Sequence, residues 1–153
     1  MDSSNKQWAL SRAMSICSKT EKCVSDIQKK LDQWEVEPNA TQEIIDRLIS
    51  EKFIDEERFA RYYARDKFRF NQWGKVKITY QLKMKQISSQ IVHEALNEID
   101  EEEYLAVLKK LIQEKARKTK FKNEFDKKAK LIRFAQGKGF ELDLISKALN
   151  HLE

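Results

Sequence analysis

The histidines and cysteines are the first residues to weigh for chemistry, and neither pair is spaced for it. His93-Glu94 opens like the zinc motif HExxH, which sets two histidines on one helix face, but position 97 is Asn97. The only other histidine is His151, so a metal site built on histidine is not expected. Cys17 and Cys23 are neither a CxxC redox pair nor a disulfide framework, and small buried helix residues are the expected role. The acidic runs Asp55-Glu56-Glu57 and Asp100 to Glu103 stand where helices should begin, so they read as caps and dipole partners rather than metal ligands. No phosphate loop, dinucleotide fingerprint or nucleophile elbow is present. Neither catalysis nor a bound cofactor is expected.

The basic residues are better organised. Arg58, Arg61, Arg65 and Arg69 recur every three or four positions, which makes one stripe on a helix turning about 100° per residue. Guanidinium groups pair bidentately with carboxylate or phosphate, so the stripe reads as a recognition surface, with a plain solvated helix face as the alternative. Lys75, Lys77 and Lys83 extend the charge, and Lys118, Lys120 and Lys122 form a second basic segment that reads either as a phosphate-seeking loop or as a solvated connector. Phe68 and Trp73 lie inside the basic region, where aromatic rings either stack on bases or fill a core. From Arg65 to Lys85 seven basic residues face one acid, and from Lys109 to Lys138 twelve face three, whereas residues 11–55 carry seven basic and nine acidic. Positive charge is therefore concentrated in the middle and C-terminal parts.

The elements that must carry these residues are helices. The 153 residues contain three glycines and one proline, far below the roughly 12% of average usage, which argues against β-sandwiches and glycine-rich loops. Leu, Ile, Val and Phe make up about a quarter of the chain, enough to build a core. Ser18 and Glu21 resemble a capping box ahead of a helix to Trp34; Asn39, Asp55, Ser88 and Asp100 are further candidate caps; Gly137 and Gly139 close a helix begun near Glu124. About nine helices and no strand are expected.

Those helices repeat. Ile27, Leu31, Val36, Ala40 and Ile44 form a register that returns as Ile78, Leu82, Ile87, Ile91 and Ala95, then as Leu131, Ala135, Phe140, Leu144 and Ala148. The offset is 51 residues from Ile27 to Ile78 and from Ala40 to Ile91, then 53 from Ile78 to Leu131 and from Ile91 to Leu144. A shared order at a constant offset indicates an all-α chain of three tandem three-helix repeats in an elongated arrangement. The units are expected at 1–55, with an N-terminal extension, 56–100 and 101–153. Such an array offers extended surface rather than a deep pocket, which favours binding over catalysis.

The net charge of +5 implies an acidic partner, either nucleic acid or protein. No apolar run reaches the roughly 18 residues of a membrane span, and Met1 to Leu10 lack the apolar core of a signal peptide, so a cytoplasmic protein is expected.

Particular segments resemble the RecX regulatory protein family. Phe53-Ile54-Asp55-Glu56-Glu57-Arg58-Phe59-Ala60-Arg61 is similar to the stretch joining that family's first and second units. Trp73-Gly74-Lys75-Val76-Lys77-Ile78, with Gln81-Leu82, resembles its aromatic-Gly-basic entry into the second unit's central helix, and Lys138-Gly139-Phe140 its recurrent Lys-Gly-aromatic turn. The chain departs from that turn at Trp34-Glu35-Val36 and Lys85-Gln86-Ile87, where another residue must close the helix.

The resemblance implies a non-enzymatic negative regulator of the RecA recombinase. It would bind the groove of the RecA–DNA filament and limit filament growth, ATP hydrolysis, strand exchange and coprotease activity. On this reading Arg58, Arg61, Arg65 and Arg69 pair with acidic protein groups or phosphates, Lys75, Lys77 and Lys83 extend that surface, and Lys118, Lys120 and Lys122 reach single-stranded DNA in the filament. A monomer is expected. The alternative is a stand-alone helical DNA-binding protein, since three-helix units can also present a recognition helix.

Overall fold

The computed structural model describes residues 3–152, and among them are nine α-helices and no strand. These are α1 (Ser3–Lys19), α2 (Val24–Gln33), α3 (Pro38–Ser50), α4 (Glu56–Asn71), α5 (Lys75–Met84), α6 (Ser89–Asn97), α7 (Glu101–Lys118), α8 (Glu124–Gly137) and α9 (Leu142–Asn150).

Side-chain caps close four of the helix starts. Asp55 accepts from the Arg58 N–H at 3.0 Å, Ser88 from Ile91 at 3.3 Å and Asp100 from Glu103 at 2.9 Å. Each satisfies one of the donors that a first turn leaves unpaired. Asn123, which the sequence reading passed over, caps α8 by accepting from Asp126 at 2.8 Å. Two expected caps are corrected. Ser18 lies inside α1 and donates back to the Met14 carbonyl at 2.8 Å, while α2 begins after Cys23, whose N–H donates to Asp26 at 3.3 Å. Asn39 lies inside α3, because Pro38 takes the first helical position, where a missing N–H costs nothing.

The missing glycines are replaced by strained residues rather than by a different turn. Glu35 and Gln86 adopt φ of 59° and 66°, and Gly139 of 97°, at the same place in each repeat. The hydrogen bonds also repeat: Val36 to Leu31 O at 3.0 Å, Ile87 to Leu82 O at 3.1 Å and Phe140 to Ala135 O at 3.2 Å, the long bond of a Schellman cap. Left-handed backbone costs an L-residue about 1 kcal/mol, partly offset by glycine's greater entropy when unfolded. Glu35→Gly and Gln86→Gly are therefore each expected to stabilise the fold by about 0.5 kcal/mol, raising the thermal midpoint by about 1–2 °C. Equal or lower midpoints would show that both side chains hold the turn in some other way.

Helices α1 and α2 each pack on α3; α4, α5 and α6 pack on one another, as do α7, α8 and α9. Buried side chains nevertheless form two cores rather than three. One joins Ala9, Ala13, Ile27, Leu31, Val36, Ile44, Ile45, Leu48 and Ile54 within α1–α3 and the turn after it. The other runs unbroken through α4–α9 and takes in Cys23, at the turn before α2. The accessible surface is 9963 Å², against about 8100 Å² for a compact monomer of 18.2 kDa, as an extended array requires.

The two joints between helix triplets differ in kind. Between α4–α6 and α7–α9, the Gly74 N–H donates to Lys138 O at 2.7 Å and the Val76 N–H to Gly139 O at 2.9 Å. Lys138 also donates through Nζ to Asn71 O at 2.9 Å. Phe140 stacks on Tyr104 at 5.1 Å, and Tyr104 on Phe68 at 5.6 Å. The fully buried Tyr104 phenol accepts from the Lys75 N–H at 2.8 Å and donates to Glu141. Burial and the Glu141 carboxylate push its pKa up, so it stays a donor. The aromatic-Gly-basic and Lys-Gly-aromatic motifs are thus two halves of one contact. Between α1–α3 and α4–α6 the joint is made by side chains: Ser25 Oγ donates to Lys85 O at 2.7 Å, Asp26 pairs with Lys85 at 2.8 Å, and Glu56 accepts from the Val24 N–H at 3.1 Å.

Candidate partner-binding face

The arginine stripe on α4 divides between two roles. Arg58 is committed inside the molecule: its Nε lies 2.7 Å from Glu21, and its Nη2 donates to Lys52 O at 3.1 Å and Phe53 O at 3.4 Å. The hydrogen bond to Glu21 raises its pKa further, and the pair ties the segment after α1 to α4. Arg61, Arg65 and Arg69 are exposed and line a cleft of about 270 Å³ between α4 and the turn from α6 to α7.

The cleft carries both signs of charge. Glu98, Asp100 and Glu103 also line it, and Tyr62, Phe68, Ala95 and Ile99 contribute its apolar surface. Arg61 Nε stands 3.6 Å from Glu98, and the Arg65 guanidinium lies 4.7 Å from the Tyr62 ring. A polyanion drawn to the arginines would meet three carboxylates, whereas a protein surface bearing both signs would be matched on both walls. In the sequence Asp100 and Glu103 read as capping residues and Glu98 was not singled out; Asp100 both caps α7 and lines the cleft.

The three α5 lysines do not line this cleft, and two of them are less available than their spacing implied. Lys75 Nζ lies 3.2 Å from Glu101 and 4.8 Å from the Tyr104 ring, with its side chain 19% exposed. Lys77 lies 4.7 Å over Trp73, which Lys67 flanks at 5.0 Å. Lys83 is exposed. Of the two roles open to Phe68, base stacking and core, the structure gives it the core one at 3% exposure, and Trp73 is half-buried in an edge contact with Tyr63.

Lys118, Lys120 and Lys122 are exposed at the far end of α7, about 22 Å along that helix from Glu103. Their connector is anchored, because Phe121 packs on the core and the Lys122 N–H donates to Asp126 at 3.0 Å. Arg117 and Lys127 share a shallow polar cleft with His151 nearby, and Phe125 at the start of α8 stands out in solvent. The structure therefore separates the two sets of candidate residues onto different regions. No helix among the described residues is long and apolar enough to cross a membrane.

Comparison with known proteins identifies the family. Residues 55–96 match the second three-helix domain of RecX, and residues 101–149 match the third. A "Regulatory protein RecX" of Clostridium acetobutylicum is 31% identical over 157 residues, covering 99% of this chain and 72% of that protein.

The chain belongs to the RecX family.

RecX of Clostridium tetani is 34% identical over 92% of this chain and 65% of its own length. RecX of Lactobacillus johnsonii is 27% identical over 95% of this chain but only 54% of its own length, so this chain spans between about half and three quarters of these RecX relatives. The crystal structure of RecX from Lactobacillus salivarius superposes with a TM-score of 0.88 at 20% identity, covering 99% of this chain and 98% of the other, which is a likeness of fold. The RecX helical-repeat architecture is thus shared from end to end.

Proposed function

We propose that this RecX chain is a cytoplasmic, monomeric, non-enzymatic negative regulator of RecA. It binds the RecA–DNA filament and limits its growth, ATP hydrolysis, strand exchange and coprotease activity. Of the units 1–55, 56–100 and 101–153, the middle and third bind across adjacent filament subunits. Arg61, Arg65 and Arg69 engage a protein surface, while Lys118, Lys120 and Lys122 reach single-stranded DNA. Arg58 and Lys75 support the site from within. The observation that carries this reading is the two-signed cleft on α4, which matches a protein better than a nucleic acid, in a chain of the RecX family.

The test is single-stranded-DNA-dependent ATP hydrolysis by the cognate RecA, titrated with this protein well below one molecule per RecA subunit. Strong inhibition at that ratio is expected, because one bound regulator acts on many filament subunits. No inhibition at any ratio, with DNA binding intact, overturns the reading. It would favour a stand-alone DNA-binding protein, for which the basic cluster around Arg117, Lys118, Lys120 and Lys122 is the supporting feature.

A further inference from the structure

Helix α5 is apolar on two opposite sides. Ile78 and Leu82 face the core and are fully buried. Val76, Tyr80 and Met84, one turn apart along the other side, are 54%, 61% and 66% exposed. They form a strip about 12 Å long, with Lys77 and Lys83 at its edges. The helix contains no carboxylate.

The repeat makes this strip unusual. The inward positions correspond in all three units: Ile27 and Leu31, Ile78 and Leu82, Leu131 and Ala135 are all buried. At offsets of 51 and 53, the outward positions are Ser25, Lys29 and Gln33 in α2, and Ala129, Arg133 and Gly137 in α8. Only the second unit carries three large apolar side chains there. Packing within the unit does not call for them, since the same scaffold stands without them in the other two.

We propose that the outer face of α5 docks a protein, and that the docking surface of that protein is an apolar strip edged by carboxylates. Apolar residues repeated at helical spacing are how a helix engages a groove, with tyrosine and methionine well suited to its centre. Lys77 and Lys83, on a helix without a carboxylate, select an acidic rim. A single-stranded nucleic acid would stack on Tyr80 alone and leave Val76 and Met84 without apolar partners. This inference rests on the function proposed above for the partner's identity, a RecA subunit of the filament.

The experiment compares the wild type with Tyr80→Ala/Met84→Ala and with Tyr80→Phe. Each is assayed for inhibition of RecA-filament ATP hydrolysis, for binding to a free single-stranded oligonucleotide and for molecular mass in solution. Both substituted side chains lie in solvent, so helix content and thermal midpoint should hold. The double variant should need about tenfold more protein for half-inhibition, with oligonucleotide binding unchanged and Tyr80→Phe close to wild type. Unchanged inhibition by the double variant, in an assay where the wild type inhibits, overturns this inference and leaves the proposed function standing. A parallel loss of oligonucleotide binding overturns it in favour of nucleic acid. A wild-type dimer that the double variant dissociates overturns it in favour of a second copy of the chain. Failure of the wild type itself to inhibit overturns both readings.

Discussion

Exchanging Arg61, Arg65 and Arg69 together for Glu is expected to raise the dose for half-inhibition of RecA-filament ATP hydrolysis about 100-fold. All three guanidinium groups are exposed on one wall of the cleft, so each is available to a partner. An exposed pair is worth up to about 1 kcal/mol, and reversal replaces attraction with repulsion; three sites therefore account for about 2.7 kcal/mol, or about 100-fold. The fold should survive, because the one cross-cleft ion pair lost, Arg61 with Glu98, is long at 3.6 Å and lies in solvent. Helix content by circular dichroism checks that point independently. Full inhibition by the variant at an unchanged dose would remove the α4 stripe from the partner-binding face. Arg58 is left out of the set because its substitution would break the contact with Glu21, confusing a binding effect with a folding one.

Gly139→Ala should be among the most destabilising single changes in the molecule, at about 3–5 kcal/mol. Gly139 has φ of 97°, and a methyl group there would overlap the Lys77 Cβ and lie 2.7 Å from the Lys77 nitrogen. Neither neighbour can move aside, since Lys77 belongs to a packed helix whose first turn is bonded to the Gly139 carbonyl through Val76. Gly74→Ala attacks the same joint from the other side, placing a methyl 2.5 Å from the Phe140 nitrogen. Gly137 is the internal control: nothing lies within 4 Å of a methyl group at that position, so Gly137→Ala should be neutral or slightly stabilising through helix propensity. Urea unfolding midpoints for the three variants decide the matter. A Gly139→Ala protein as stable as the wild type would mean that α5 and the turn after α8 do not approach as closely as described.

Both predictions concern places where sequence reasoning reached partway. The stripe was legible as four arginines at helical spacing, and the charge bias toward the second half of the chain was a matter of counting. Arg58 looked the same as Arg61 because spacing along one helix carries no information about Glu21, 37 positions earlier. Glu103 was visible as part of an acidic helix start and Glu98 was not singled out; the place of both opposite the arginines depends on how α4 packs against α6 and on the turn into α7. The outer strip of α5 was open to discovery in the sequence, because Val76, Tyr80 and Met84 recur every four positions, two residues out of phase with Ile78 and Leu82. Capping was read correctly at Asp55, Ser88 and Asp100, where the partner N–H is three residues away. It failed at Ser18 and Asn39, where the run of α1 and the placement of Pro38 override a local signal.

The sequence by itself determined the helices, their threefold repetition and the side on which positive charge gathers. All three follow from interactions within one or two helical turns, or from composition, and periodicity records such interactions directly. Only the tertiary structure decided that the second and third helix triplets share one core, which Cys23 joins, while the rest of the first keeps its own. It also decided that the two glycine motifs meet each other and that three arginines face three carboxylates. These outcomes depend on residues 30 to 70 positions apart coming within a few ångströms. A one-dimensional pattern carries no record of such distances, because they are set by how whole helices fill shared volume.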